Sequence, residues 1–133
     1  MSNDSSVILY KPIGIEMPNF KEITKSDFLL AVMNKSQRQF LRKAMSSPPA
    51  ILCIDATHGT NAYGFQLVTL MSVNSFGNGI PCAFFFTTKE NKEALSLFFS
   101  TIKQIVGKMD LKVKLNNLYK GIFNESNVIL VIL

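Results

Sequence analysis

Ala50-Ile51-Leu52-Cys53-Ile54-Asp55, followed by a stretch from Ala56 to Thr88 that contains no Asp, Glu, Lys or Arg, is the part of the chain that decides its architecture. Charged residues crowd the surface of soluble proteins, so a long uncharged segment is expected to be largely enclosed by the rest of the fold. The apolar run 50–54, closed by the lone carboxylate of Asp55, predicts a central strand buried on both faces. Phe65 to Val73 and Ile80 to Phe86 read as two further strands. Between them, Asn74-Ser75-Phe76-Gly77-Asn78-Gly79 has the turn chemistry of a hairpin. A three-stranded meander is the expected result.

Downstream, Thr87-Thr88-Lys89-Glu90 has the form of a capping box, and Leu95, Phe98, Phe99, Ile102, Ile105 and Val106 recur at helical spacing. Gly107 is placed to end that helix. Leu111 to Leu115 alternates like a half-exposed strand, and Asn127 to Leu133 is a bare apolar run that must pair with something or stand as an aggregation-prone edge. Upstream, Val7 to Tyr10 reads as a short strand. Phe28 to Met33 is an apolar run too short to divide strand from helix. Phe40, Leu41, Ala44 and Met45 predict a helix from about Ser36, with Ser36 as its cap and Arg38, Arg42 and Lys43 mostly on the other face. Meander, helix and further strand are the order of the first half of a ribonuclease H-like fold. The expected class is thus α/β, an incomplete ribonuclease H-like domain over residues 50–133, preceded by a helical and extended flanking segment over residues 1–49.

Composition excludes several alternatives. Of the 133 residues, 47% are hydrophobic and 17% charged, which gives a chain with enough apolar surface to fold. Apolar runs are interrupted by Gly, Pro, Asn, His and Gln before a membrane span accumulates. The first apolar cluster is short and has no basic start, so no secretory signal is expected, and a nuclear or cytoplasmic location is. Cys53 and Cys82 sit in apolar runs, as buried thiols in a reducing compartment do. The net charge of +5 comes from the flanks, where Arg38, Arg42 and Lys43 form one group and Lys112, Lys114 and Lys120 another. These could attract a polyanion such as DNA, or simply be solvated helix faces. Neither a membrane nor a small-molecule cofactor is expected as a partner.

Asp55-Ala56-Thr57-His58-Gly59-Thr60-Asn61-Ala62-Tyr63-Gly64-Phe65-Gln66-Leu67 resembles the start of the catalytic domain of Mutator-like element (MULE) transposases, a group that also gave rise to zinc-finger SWIM-type proteins. Phe76 to Ala83 and Thr88-Lys89-Glu90-Asn91 are similar to the family pattern in the same order. Ser6 to Tyr10, and Asp27 to Leu30 followed by Gln37, look like the segment that precedes the domain in animal members. The resemblance covers roughly residues 6 to 107.

It implies a DNA transposase in which three carboxylates hold two Mg²⁺ or Mn²⁺ ions around a phosphodiester. That chemistry needs several anionic oxygens, because two cations about 4 Å apart must orient both the attacking and the leaving oxygen. Asp55 takes the place of the first acid and is the candidate metal ligand. The family's second acidic position falls on Asn116-Asn117, where amides bring no charge, and the third has no counterpart before Leu133. His58 either turns toward the carboxylate or a phosphate, or hydrogen-bonds its own turn. Cys53, His58 and Cys82 lack a Cys-x-x-Cys pair, so no zinc site is expected. The expectation is a truncated or decayed transposase-derived protein without catalysis of its own and with no bound cofactor. The alternative is a domesticated DNA- or protein-binding module.

Overall fold

The computed structural model describes residues 5–46, 50–57, 64–74, 76–88, 92–107, 112–113 and 128–132. Seven strands form one sheet: β1 (Val7–Lys11), β2 (Leu29–Val32), β3 (Ala50–Thr57), β4 (Gln66–Val73), β5 (Gly79–Thr87), β6 (Lys112–Val113) and β7 (Val128–Ile132). Two helices accompany them, α1 (Lys35–Met45) and α2 (Lys92–Val106). The spatial order is β1-β2-β5-β4-β3-β7-β6.

The predicted meander is present. β3 pairs antiparallel with β4 from Leu52 opposite Ser72 to Thr57 opposite Leu67, and β4 pairs antiparallel with β5. A register shift between Leu70 and Met71 leaves Cys82 as the extra residue of a bulge, with Pro81 beside it. Proline is tolerated there because that stretch lies outside Phe84–Thr87, the part of β5 that pairs with β2. The ambiguous apolar run near residue 30 is a strand. β2 adds to the free side of β5, and β1 adds to β2, so the flanking segment 1–49 contributes to the same sheet as the meander. The apolar run near the end of the chain pairs parallel with β3, Ala50 opposite Val128 through Ile54 opposite Ile132. β6 lies outside β7, also in parallel. Meander, α2 and the strands that follow make this an incomplete ribonuclease H-like α/β fold.

Register decides which residues reach the core. Leu29 and Ala31, Phe85 and Ala83, Val68 and Leu70, and Leu52 and Ile54 fall on one face and are fully buried. Both helices cover that face. α2 sinks Ala94, Leu95, Phe98, Phe99 and Ile102 into it, and Phe98 stacks on Phe85 with ring centroids 4.8 Å apart and planes 9° from parallel. α1 contributes Leu41 to the same core. Gly107 ends α2 as expected, with φ +86° and its N–H donating to Lys103 O at 3.0 Å.

Two expectations need correction. The cap of α1 is Asn34, not Ser36: Asn34 Oδ1 accepts Gln37 N–H at 2.8 Å, and Gln37 Oε1 accepts Asn34 N–H at 2.9 Å. This reciprocal pair satisfies two backbone donors, which Ser36, inside the first turn, is not placed to do. Nor is β3 buried on both faces. Leu52 and Ile54 are at 0% exposure, but Ile51 is 37% exposed, Cys53 is half-buried and Asp55 is exposed. With both helices on one face, the apolar residues of the other face (Leu30, Phe84, Phe86, Leu67, Met71 and Cys53) shelter one another and remain half-buried.

β1 is an edge strand with an unusual end. Its last residue, Lys11, is 2% exposed and points into the structure, where Nζ donates to Pro12 O at 3.1 Å, to Lys25 O at 3.4 Å and to Asp27 O. Three carbonyl oxygens thus replace the water that the buried ammonium gives up.

Candidate functional site

Asp55 is the sixth residue of β3, opposite Thr69 of β4 and in line with Cys53 and Ile51 on the sheet face that neither helix covers. It is exposed, and the strands β3, β4 and β5 bring no other carboxylate beside it. Among the described residues no three His, Cys, Asp or Glu side chains come together as a metal site. One carboxylate facing a threonine and a thiol does not fit a pair of divalent cations, which require several anionic oxygens.

The other positions drawn from the sequence fall elsewhere. His58, Asn116, Asn117, Glu90, Asp110 and Glu125 lie outside the described residues, as do Lys114 and Lys120. β6, the strand after α2, is separated from β3 by β7, so Lys112 and Val113 lie about two inter-strand spacings, roughly 10 Å, from Ile51 and Leu52, and farther from Asp55, which is three residues on along β3. Glu93 is a structural carboxylate, since its Oε2 accepts Glu22 N–H at 2.7 Å.

Both cysteines are free thiols. Burial pushes the Cys82 thiol up to about 11, against a smaller opposing effect of the Ser72 backbone hydrogen bond. Its Sγ donates to Ile80 O at 3.3 Å. Burial also raises the Cys53 thiol. Thiols held in the protonated form are poor nucleophiles and poor metal ligands.

The basic residues are more telling. α1 carries Lys35, Arg38, Arg42 and Lys43 and no acidic residue, and α2 adds Lys92 and Lys103 against Glu93 alone. All but the half-buried Arg38 are exposed. Arg42 has a second task that the sequence does not reveal: Nε and Nη2 donate to Ile105 O at 3.2 and 2.6 Å, capping the C-terminal end of α2 and fixing the two helices side by side. Arg38 Nε is buried without a hydrogen-bond partner. The helices thus form a layer whose outer surface is strongly basic, whereas the opposite sheet face holds Asp55 among apolar groups. Lys112 belongs to β6, at the far edge of the sheet. Among the described residues no helix is long and apolar enough to cross a membrane.

A second polar cluster was not readable from sequence spacing. Asp27, 8% exposed, accepts from Thr24 N–H at 2.8 Å, Thr24 Oγ1 at 3.1 Å and Thr88 Oγ1 at 3.1 Å. Thr88 Oγ1 in turn accepts Phe28 N–H at 2.9 Å. The cluster joins the loop before β2 to the end of β5 next to Phe28, whose ring stacks on that of Phe65 (centroids 5.1 Å apart). Its geometry is that of a structural tie.

The meander and the covering helix agree with a comparison at the family level. No curated protein and no solved structure matches the chain. The family model described as Zinc finger SWIM domain-containing protein 1/3, RNaseH-like domain, matches residues 23–115, a stretch that starts before β2 and runs beyond β6. The chain belongs to this family of ribonuclease H-like domains of zinc-finger SWIM proteins.

Proposed function

We propose that the chain is a nucleic-acid-binding module of transposase descent, MULE-like in its Asp55-to-Leu67 segment, that does not itself cleave or join DNA. The observation that carries this reading is the helix layer: α1 is exclusively basic, and with α2 it presents Lys35, Arg38, Arg42, Lys43, Lys92 and Lys103 against the single carboxylate of Glu93, which is already engaged. A one-signed surface on paired, rigidly joined helices suits a polyanion and is unsuited to an acidic metal centre. The lack of catalysis rests on the donor set, with no second carboxylate beside Asp55 among the described residues of β3, β4 and β5 and amides at Asn116 and Asn117.

The test is fluorescence anisotropy of a labelled duplex against salt concentration. Each phosphate contact contributes about −0.9 to the slope of log K against log salt. Lys35→Glu/Lys43→Glu should weaken binding and make that slope shallower by about 2, since two contacts are lost. Arg42 is left intact because it also caps α2. Salt-independent binding, or an affinity indifferent to the double substitution, would overturn the proposal.

A further inference from the structure

The β4–β5 hairpin ends in an aromatic ring that nothing in the described structure covers. Phe76 is 87% exposed, well above the next large apolar residue, Ile13 at 61%. Its loop is nevertheless firmly held. Asn74 N–H donates to Asn78 O at 2.9 Å and Gly77 N–H to Asn74 O at 3.0 Å, while Asn74 Oδ1 accepts Phe76 N–H at 2.9 Å and Asn78 N–H at 3.0 Å. Gly77 supplies the φ of +82° that the turn needs. A ring displayed by a pre-organised backbone loses little freedom on engaging a ligand.

The tip itself has no charge with which to hold a phosphate. α1 supplies it, because Gln37 Nε2 donates to Pro81 O at 3.2 Å. Pro81 is three residues from Asn78, about 10 Å of extended chain, so the first turn of α1 with Lys35 and Arg38 stands at the same end of the sheet as Phe76. Basic groups that track a backbone beside an aromatic platform are the combination by which proteins hold unpaired strands.

We infer that Phe76 stacks on an unpaired base, and that the ligand class is single-stranded or locally unpaired nucleic acid guided by α1. This inference rests on the nucleic-acid reading above and refines it. The interior of an intact duplex has no free base face for the ring, since its bases are already stacked on one another, and only the two terminal pairs expose one. Unpaired bases offer one whatever their sequence, so the platform favours strand state over sequence.

The experiment compares a labelled oligo-dT strand with a blunt duplex of equal length, binding the 133-residue chain and its Phe76→Ala, Phe76→Leu and Phe76→Trp variants. Phe76→Ala should weaken single-strand binding about 5- to 150-fold, equivalent to about 1–3 kcal/mol for one stacked base. Phe76→Leu should weaken it too, Phe76→Trp should preserve it, and duplex affinity should stay unchanged. Equal thermal midpoints would show that the fold is intact in each variant. If Phe76→Ala is silent while Lys35→Glu/Lys43→Glu weakens binding, stacking is refuted and the nucleic-acid reading stands; this is also the result expected of a ring that serves a protein pocket. If the unmodified chain binds neither oligonucleotide, both readings fall.

Discussion

Phe84, Phe85 and Phe86 are chemically identical neighbours that the pleat of β5 sends to different environments, and truncating them separates the two faces of the sheet energetically. Phe85 is at 0% exposure and stacks against Phe98 of α2, whereas Phe84 is half-buried on the face that neither helix covers. Phe85→Ala should cost about 3–5 kcal/mol, because the space lies between a sheet and a helix that Phe98, Phe99 and Ile102 already fix and cannot readily collapse. Phe84→Ala loses only part of a side chain's burial and leaves no closed cavity, so about 1–2 kcal/mol is expected. With a urea m-value of about 1.5 kcal/mol/M, those costs move the midpoint by roughly 2–3 M and by about 1 M respectively. The chain has no tryptophan, so far-UV circular dichroism is the suitable probe. Total stability of a domain is commonly about 5–15 kcal/mol, which makes the first change severe but measurable. Equal midpoint shifts for Phe84→Ala and Phe85→Ala would refute the one-sided placement of the helices.

Other outcomes test smaller parts of the structure. Asn34→Ala removes the capping box of α1 and should lower stability by about 1 kcal/mol, while Ser36→Ala should be nearly silent; the reverse ranking in urea titrations would restore Ser36 as the cap. The Cys82 thiol is raised from an ordinary 9.0 to about 11, so its folded form binds the proton more tightly than its unfolded form. Stability from that difference is fully present below pH 9 and is lost as pH rises from about 9 to 11. Cys82→Ala should therefore flatten the alkaline decline of the thermal midpoint relative to the unsubstituted chain, and parallel curves for the two proteins would contradict it.

What could be read in the sequence was what local pattern and composition control. The uncharged stretch from Ala56 to Thr88 announced β4, β5 and their hairpin, and the spacing of Leu95, Phe98, Phe99 and Ile102 announced α2 and its buried side. Two readings failed for a shared reason, namely that an apolar or polar residue type does not say where its partner lies. Ile51 and Cys53 are apolar yet face no helix, and Asn34 caps α1 because Gln37 answers it, a match that Ser36 lacks. Long-range ties were invisible for a stricter reason. Asp27 and Thr88 are 61 residues apart, and Arg42 reaches Ile105 across 63, so nothing in local spacing couples them. At the candidate site, the sequence singled out Asp55 and Arg38, Arg42 and Lys43 of α1, but not Lys35, Lys92 or Lys103, nor the display of Phe76. The available signal for that was a large apolar residue inside a loop rich in Asn, Ser and Gly.

The inward-turned Lys11 has a consequence for how copies of this protein behave in a crowd. β1 closes one margin of the sheet, and a flat apolar margin of that kind invites another chain to add a strand and start a polymer. This one is broken by a register shift between Val7 and Leu9, ends at once in Pro12, which has no N–H to offer, and carries an ammonium that can stay buried only while the carbonyls of Pro12, Lys25 and Asp27 hold it. An added strand would find an interrupted hydrogen-bonding ladder, and straightening β1 to accept it would pull Lys11 from its three acceptors. Strand-by-strand growth from this margin is therefore blocked by the same contacts that join β1 to the loop ahead of β2.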